Sequence, residues 1–333
     1  MEQLSPDRIE GLANDTVSRH RGPLDEARAA LSAAPPSEEL RAFALRLAGA
    51  FDAAWTAFSL FTSIPTASFP ERIPRVLGAM HHVASAQEGF YALREPLTPF
   101  HEYWLLPGTR PPVAETRKND GAATGVLHVS AGEHHGGFSL YVPEAYTAER
   151  ACPLIVALHG GSGNGRDFLW TWVREAKSLG YILVAPSAAL DTWGSVEDIG
   201  LQEIILWIAH HYNIDRGRIL LTGLSDGATF TLLYGLAHPD LYRALAPLCG
   251  VLHPANDALG NLQRARGVPI YLVHGAQDFL FPVSLARFTR DTLVEAGADL
   301  VYRELPKLSH TYPRSENVRI LRWFESLPNR AET

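Results

Sequence analysis

The residues best suited to covalent chemistry lie in Gly223-Leu224-Ser225-Asp226-Gly227, a G-x-S-x-G sequence. It follows the apolar run Ile219-Leu220-Leu221-Thr222 and opens a stretch with helical character. In that setting the pattern predicts a nucleophile elbow, a sharp strand-to-helix turn that exposes the serine Oγ. The flanking glycines remove side chains that would clash in so tight a turn. The helix N-terminus behind the serine favours negative charge developing in front of it.

A serine hydroxyl needs a base, and the base needs a partner that fixes its tautomer. His310, in Leu308-Ser309-His310-Thr311-Tyr312-Pro313, follows the last apolar run and precedes the last helical one. Asp278, in His274-Gly275-Ala276-Gln277-Asp278, lies just past the run Ile270-Tyr271-Leu272-Val273. The chain order Ser225, Asp278, His310 is that of one known arrangement of such triads. His159-Gly160-Gly161-Ser162-Gly163-Asn164-Gly165 follows Leu154–Leu158. A glycine-rich loop there can turn backbone N–H groups towards an oxyanion. The expected donors are the N–H groups of Gly161 and Asp226. A phosphate loop is the rival reading, but Gly165 is followed by Arg166-Asp167 and not by Lys-Ser. Trp193, Phe279 and Phe281 flank these loops and are expected to line a substrate pocket, with plain core packing the alternative.

These loops need a frame. From about residue 125 the sequence alternates strand and helix patterns. Strands are expected at Val126–Val129, Phe138–Val142, Leu154–Leu158, Tyr181–Ala185, Ile219–Thr222, Ala244–Leu248, Ile270–Val273 and Leu300–Leu305. Helices are expected at Asp167–Leu179, Val196–Tyr212, Asp226–Ala237, Val283–Ala296 and Glu316–Leu327. Continuous Val/Ile/Leu runs between helices predict a mostly parallel sheet covered on both faces, an α/β fold. Residues 1–115 have a different rhythm, with apolar residues at three- and four-residue steps over Ser37–Phe61 and Glu71–Leu93. In the second stretch Val76, Met80, Val83 and Phe90 are the expected inner face. Ser5 before Pro6 has the form of a helix start. A Pro/Gly-rich connection over 107–124 joins this helical part to the rest, giving domains of 1–115 and 116–333. The helical part is expected either to cover the site or to carry self-association into a homo-oligomer.

In its second part the chain resembles the α/β-hydrolases. Within them it is similar to the polyhydroxybutyrate-depolymerase, feruloyl-esterase and phospholipase/carboxylesterase group. The matching stretches are Pro153–Gly160, Tyr212-Asn213-Ile214-Asp215-Arg216-Gly217-Arg218 leading into the Ser225 motif, and His274–Asp278. The resemblance covers about the C-terminal two thirds and leaves the helical part unmatched. It implies an eight-stranded α/β-hydrolase sheet and ester hydrolysis through an acyl-serine on a small-molecule ester, with no metal or organic cofactor. Amide cleavage and acyl transfer use the same residues, and a non-catalytic binding protein on this fold is the reading from another class.

Composition agrees with a globular enzyme: of 333 residues, 46% are hydrophobic and 20% charged, and the net charge of −7 does not point to nucleic acid. No apolar run is long enough to span a membrane. The start, Met1 to Asp7, lacks the pattern of an export signal, so a cytoplasmic protein is expected. Cys152 and Cys249 sit beside apolar runs and read as small buried hydrophobes. The pairs His81-His82, His134-His135 and His210-His211 lack metal-site spacing. The second of these pairs has the surroundings of a hairpin turn.

Overall fold

The computed structural model describes residues 4–33, 36–66, 69–109, 121–130, 136–194 and 197–328. His134 and His135, and most of the 107–124 connection, lie outside them. The chain divides into two compact units between Trp104 and Leu105. The division precedes the Pro/Gly-rich stretch because residues 105 and 106 are already tied to the second unit. There the Arg174 guanidinium donates to the Leu105 carbonyl, and the Leu106 N–H donates to Ser178 Oγ.

The first unit is helical: α1 (Ile9–Ala33), α2 (Arg41–Thr62), α3 (Phe69–Ala92) and the short α4 (Thr98–Tyr103). The Ser5 carbonyl accepts from the N–H groups of Arg8 and Ile9 at the start of α1, and the Ser5 hydroxyl donates to Asp7. The inner face of α3 differs from the expected one. Met80 and Val83 are exposed, whereas Ala79, Ala84, Ala86 and Tyr91 are buried. The reason is close packing of α3 on α2. Gly89 lies against Ala50, so near that a Cβ on Gly89 would be 2.6 Å from that of Ala50. Alanines and Gly89 therefore take part of the packed face, with Val76 and Phe90 partly buried beside them, and Met80 and Val83 are turned away.

The second unit is one eight-stranded sheet in the order β1-β2-β4-β3-β5-β6-β7-β8. Its strands are β1 (Gly125–Val129), β2 (Phe138–Val142), β3 (Cys152–Leu158), β4 (Ile182–Pro186), β5 (Ile214–Leu224), β6 (Ala244–Leu248), β7 (Pro269–Gly275) and β8 (Asp299–Leu305). β1 pairs antiparallel with β2, and β2 antiparallel with β4; every later pairing is parallel. The helices after β3 are α5 (Gly165–Leu169), α6 (Val173–Leu179), α7 (Glu197–His211), α8 (Asp226–Ala237), α9 (Ala255–Ala258), α10 (Val283–Glu295) and, beyond β8, α11 (Asn317–Ser326). All eight expected strands are present.

One expected helix, Asp167–Leu179, is broken into α5 and α6. Phe168, Leu169, Trp170, Trp172 and Val173 are all buried. The chain turns between them at Thr171, whose N–H reaches the Phe168 carbonyl. The central strands β3, β4, β6 and β7 are buried almost throughout, β5 is buried from Ile219 to Gly223, and α8 behind Ser225 is buried on most sides. Both cysteines are free and buried, and burial pushes the Cys249 thiol up to about 12.

Candidate active site

Three strand ends and the loop after β8 converge at the carboxyl edge of the sheet, where ligands bind in open α/β sheets. Ser225 is the residue between β5 and α8. Its backbone has φ 56° and ψ −116°, a conformation that costs about 1–3 kcal/mol for a residue with a Cβ. The surroundings hold it there. The Ser225 N–H donates to the Leu248 carbonyl at the end of β6, and its own carbonyl accepts from the N–H groups of Ala228 and Thr229. Gly227 is required by packing: a Cβ there would run into the carbonyls of His159 and Leu158.

The Ser225 hydroxyl donates to His310 Nε2 at 2.8 Å, and His310 Nδ1 donates to Asp278 Oδ2 at 2.8 Å. The tautomer follows from the partners. A carboxylate only accepts, so the ring proton sits on Nδ1 and leaves Nε2 free to take the hydroxyl proton. The other oxygen of Asp278 accepts from the N–H groups of Leu280 (3.0 Å) and Phe281 (2.8 Å). This local turn fixes the carboxylate, whose side chain is fully buried.

Asp278 and His310 are brought together by backbone. The Ala276 N–H donates to the Leu305 carbonyl, and the Gln277 N–H to that of Leu308, both at 3.0 Å. The approach needs Gly275, because a Cβ there would meet the Leu308 carbonyl. Gly275→Ala is therefore expected to lower the urea midpoint by an amount worth about 1–3 kcal/mol, as overpacking does. It should also lower kcat by moving His310 off Ser225. A variant with wild-type stability and wild-type kcat would show that the two loops do not depend on this contact.

The loop after β3 lies against the elbow. A Cβ on Gly160 would be 3.5 Å from that of Ser225, and one on Gly161 would be 3.8 Å from that of Asp226. Gly161 and Asp226 thus stand side by side next to the serine, at the N-terminus of α8. The loop is braced by the segment after β4. Ser162, itself at φ 57°, donates its N–H to the Asp191 carbonyl at 2.8 Å. Trp193 donates its indole N–H to the His159 carbonyl (2.7 Å) and its backbone N–H to Asp226 Oδ2 (2.9 Å). The Ala188 N–H donates to His159 Nε2 at 3.0 Å, which makes His159 Nδ1 the protonated nitrogen, donating to the Gly160 carbonyl at 2.7 Å.

Of the three aromatic residues expected at a pocket, Trp193 is buried between His159 and Phe230, stacking on the latter with ring centroids 5.7 Å apart. The role the structure gives it is to brace the glycine-rich loop. Phe281 and Phe279 stand edge-on to the His310 ring, at 5.4 and 6.3 Å between centroids, and Phe279 is 48% exposed. His211 is engaged with the Trp207 carbonyl and stacks on that ring. Sequence reasoning did not single out Asp191 or Ala188. Their contribution is a backbone carbonyl and a backbone N–H, which residue type does not encode.

Two histidines are held neutral. Burial pushes the His159 and His274 imidazoles below the ordinary value of 6.5, against the raising influence of their carbonyl partners and nearby carboxylates. In the unfolded chain both take a proton near 6.5, whereas in the folded protein they do so only at lower pH. Over that window the unfolded state binds more protons, so stability is complete above 6.5 and falls as pH drops below it. Each group contributes at most about 1.4 kcal/mol per pH unit. Urea midpoints should therefore decline from about pH 7 to about pH 5.5, less steeply in His274→Gln. Equal slopes for wild type and variant would show that His274 titrates normally.

The second unit has the α/β-hydrolase fold. A solved thermostable esterase superposes with TM-score 0.50 at 23% identity, covering 60% of this chain and 61% of its own. An S-formylglutathione hydrolase from Agrobacterium tumefaciens gives TM-score 0.50 at 17% identity, covering 61% of this chain and 95% of its own. More particularly, the phospholipase/carboxylesterase family model matches residues 200–325, the stretch that contains Ser225, Asp278 and His310. In sequence, the chain is 31% identical over 133 residues to the bifunctional acetylxylan esterase/xylanase XynS20E of Neocallimastix patriciarum, covering 38% of this chain and 19% of that protein. It is 25% identical over 127 residues to feruloyl esterase B of Talaromyces funiculosus, covering 34% of this chain and 35% of that protein. To acetylxylan esterase A of Emericella nidulans it is 26% identical over 132 residues, covering 34% of this chain and 42% of that protein. The matched segments thus span less than half of each of these relatives.

Proposed function

We propose that the protein hydrolyses carboxylic esters through an acyl-serine, with Ser225 as nucleophile, His310 as general base and then acid, and Asp278 as the group that orients and stabilises the imidazolium. The observation that carries this reading is the unbroken relay of two 2.8 Å hydrogen bonds from Ser225 Oγ through His310 to Asp278. Its support from comparison is that the family model matched over residues 200–325 is of phospholipases and carboxylesterases, and that relatives similar in sequence are named as esterases.

The steps follow from the geometry. His310 Nε2 takes the hydroxyl proton as Oγ attacks the ester carbonyl. The carbonyl oxygen becomes an oxyanion in front of α8, where the N–H groups of Asp226 and Gly161 are the donors assigned to it. One such donor is worth about 10²–10³ in kcat. The imidazolium then gives its proton to the leaving alcohol. Water attacks the acyl-serine by the same route and releases the acid.

A panel of p-nitrophenyl and aryl esters of increasing acyl length, assayed on the full chain with Ser225→Ala as control, tests the reading. Turnover by wild type and none above background by the variant is the expected result. No turnover of any ester, together with cleavage of the matching amides, would reassign the same residues to amide hydrolysis.

A further inference from the structure

His274, the last-but-one residue of β7, is fully buried beside the triad and has no part in the steps above. Its Nε2 donates to the Phe281 carbonyl at 2.8 Å and lies 3.5 Å from Asp278 Oδ2, the same oxygen that accepts from His310. Its other nitrogen, Nδ1, is buried and has no hydrogen-bond partner among the described residues. Because Nε2 faces a carbonyl, Nε2 carries the proton and Nδ1 is a bare acceptor. A leucine or phenylalanine in this place would leave no orphaned acceptor. What the imidazole supplies, and an apolar side chain does not, is the single N–H aimed at the turn 278–281.

That turn is a closed loop of three bonds. Asp278 Oδ1 accepts from Leu280 and Phe281, and the Phe281 carbonyl is pulled back to β7 by His274. We infer that His274 is a positioning residue for the triad: its Nε2–H ties the Phe281 carbonyl and leans on Asp278, setting the angle at which the carboxylate meets His310 and the place of the Phe281 ring beside it. The inference rests on the hydrolase reading of Ser225, His310 and Asp278.

The charged and titratable groups facing His274 are Asp278 from the turn after β7, His310 from the loop after β8 and Glu304 on β8. A positive charge on His274 would compete with His310 for one carboxylate oxygen. Its burial, with no acceptor placed at Nδ1, keeps it from doing so.

The test uses the full chain with three substitutions. His274→Gln places an amide N–H near the position of Nε2. His274→Asn places one near the orphaned Nδ1, and His274→Leu supplies none. The expected result is a fall in kcat of about tenfold for Leu and Asn with KM within about twofold, and recovery to within about threefold of wild type for Gln. The low-field proton resonance of His310 Nδ1–H should move in the Leu and Asn proteins and return in the Gln protein. Equal impairment of Gln and Asn would overturn the inference, as would a Leu variant with wild-type kcat and an unmoved resonance. If the Leu variant does not fold, the Gln and Asn pair decides, since both are polar and similar in bulk. Should wild type turn over no ester, the hydrolase reading fails, while the resonance still reports on His274.

Discussion

Ser225→Ala is expected to lower kcat for a p-nitrophenyl ester by roughly 10⁶, to a residual rate set by the binding cleft and its N–H donors alone. The size follows from what the methyl group leaves behind. His310 keeps its bond to Asp278 and its proton on Nδ1, but Nε2 then faces no hydroxyl. The fold should be spared, because the constraints on this turn are backbone bonds: the Ser225 N–H to Leu248 and its carbonyl to Ala228 and Thr229. Alanine can occupy the same φ of 56° at a cost similar to that of serine. Steady-state kinetics with a thermal melt on the same sample checks both halves. A stable variant keeping more than about a hundredth of wild-type kcat would mean that another group forms the acyl-enzyme, since that loss is under about 3 kcal/mol of barrier.

Asp278→Asn should cost about 10⁴ in kcat through the wrong histidine tautomer. The structure shows why the amide would be turned the unhelpful way. Oδ1 is claimed by two backbone donors, Leu280 and Phe281, so an asparagine would place its oxygen there and its NH₂ towards His310. The imidazole would then have to accept at Nδ1 and carry its proton on Nε2, where it cannot take one from Ser225. A solvent-exposed aspartate would have no such bias, but this side chain is fully buried. The loss should appear in kcat with little change in KM. A fall of less than about tenfold, or about 1.4 kcal/mol, would point to a different orienting group.

Much of this site was legible in the sequence because its parts are local. Gly223–Gly227 lies between an apolar strand and a helix, and the structure places it between β5 and α8. Asp278 and His310 each follow an apolar run, and in the structure each follows its strand, β7 and β8. What was not legible is non-local. The glycine-rich loop is held by a carbonyl of Asp191, an N–H of Ala188 and the indole of Trp193. No spacing within the loop announces partners about thirty residues away that contribute mostly backbone. The break at Thr171 was hidden for a different reason. Apolar residues at 168, 169, 170, 172 and 173 fit a buried helix on content, and nothing in their types marks the turn between Trp170 and Trp172. In the helical unit, periodicity marked α2 and α3 but only half of the inner face of α3: Val76 and Phe90 pack inward, whereas Met80 and Val83 are exposed. A period of apolar residues marks large side chains, whereas close helix packing also brings alanines and Gly89 to the contact.

The central claim is that one serine hydroxyl in this chain is made nucleophilic by the relay behind it. Reaction of the intact protein with a fluorophosphonate, followed by mass mapping of the adduct, tests that claim without a choice of natural substrate. The expected product is a single phosphonyl group on Ser225, abolished in Ser225→Ala and strongly slowed in His310→Ala. An adduct on any other residue, or undiminished labelling of the Ser225→Ala protein, would contradict it.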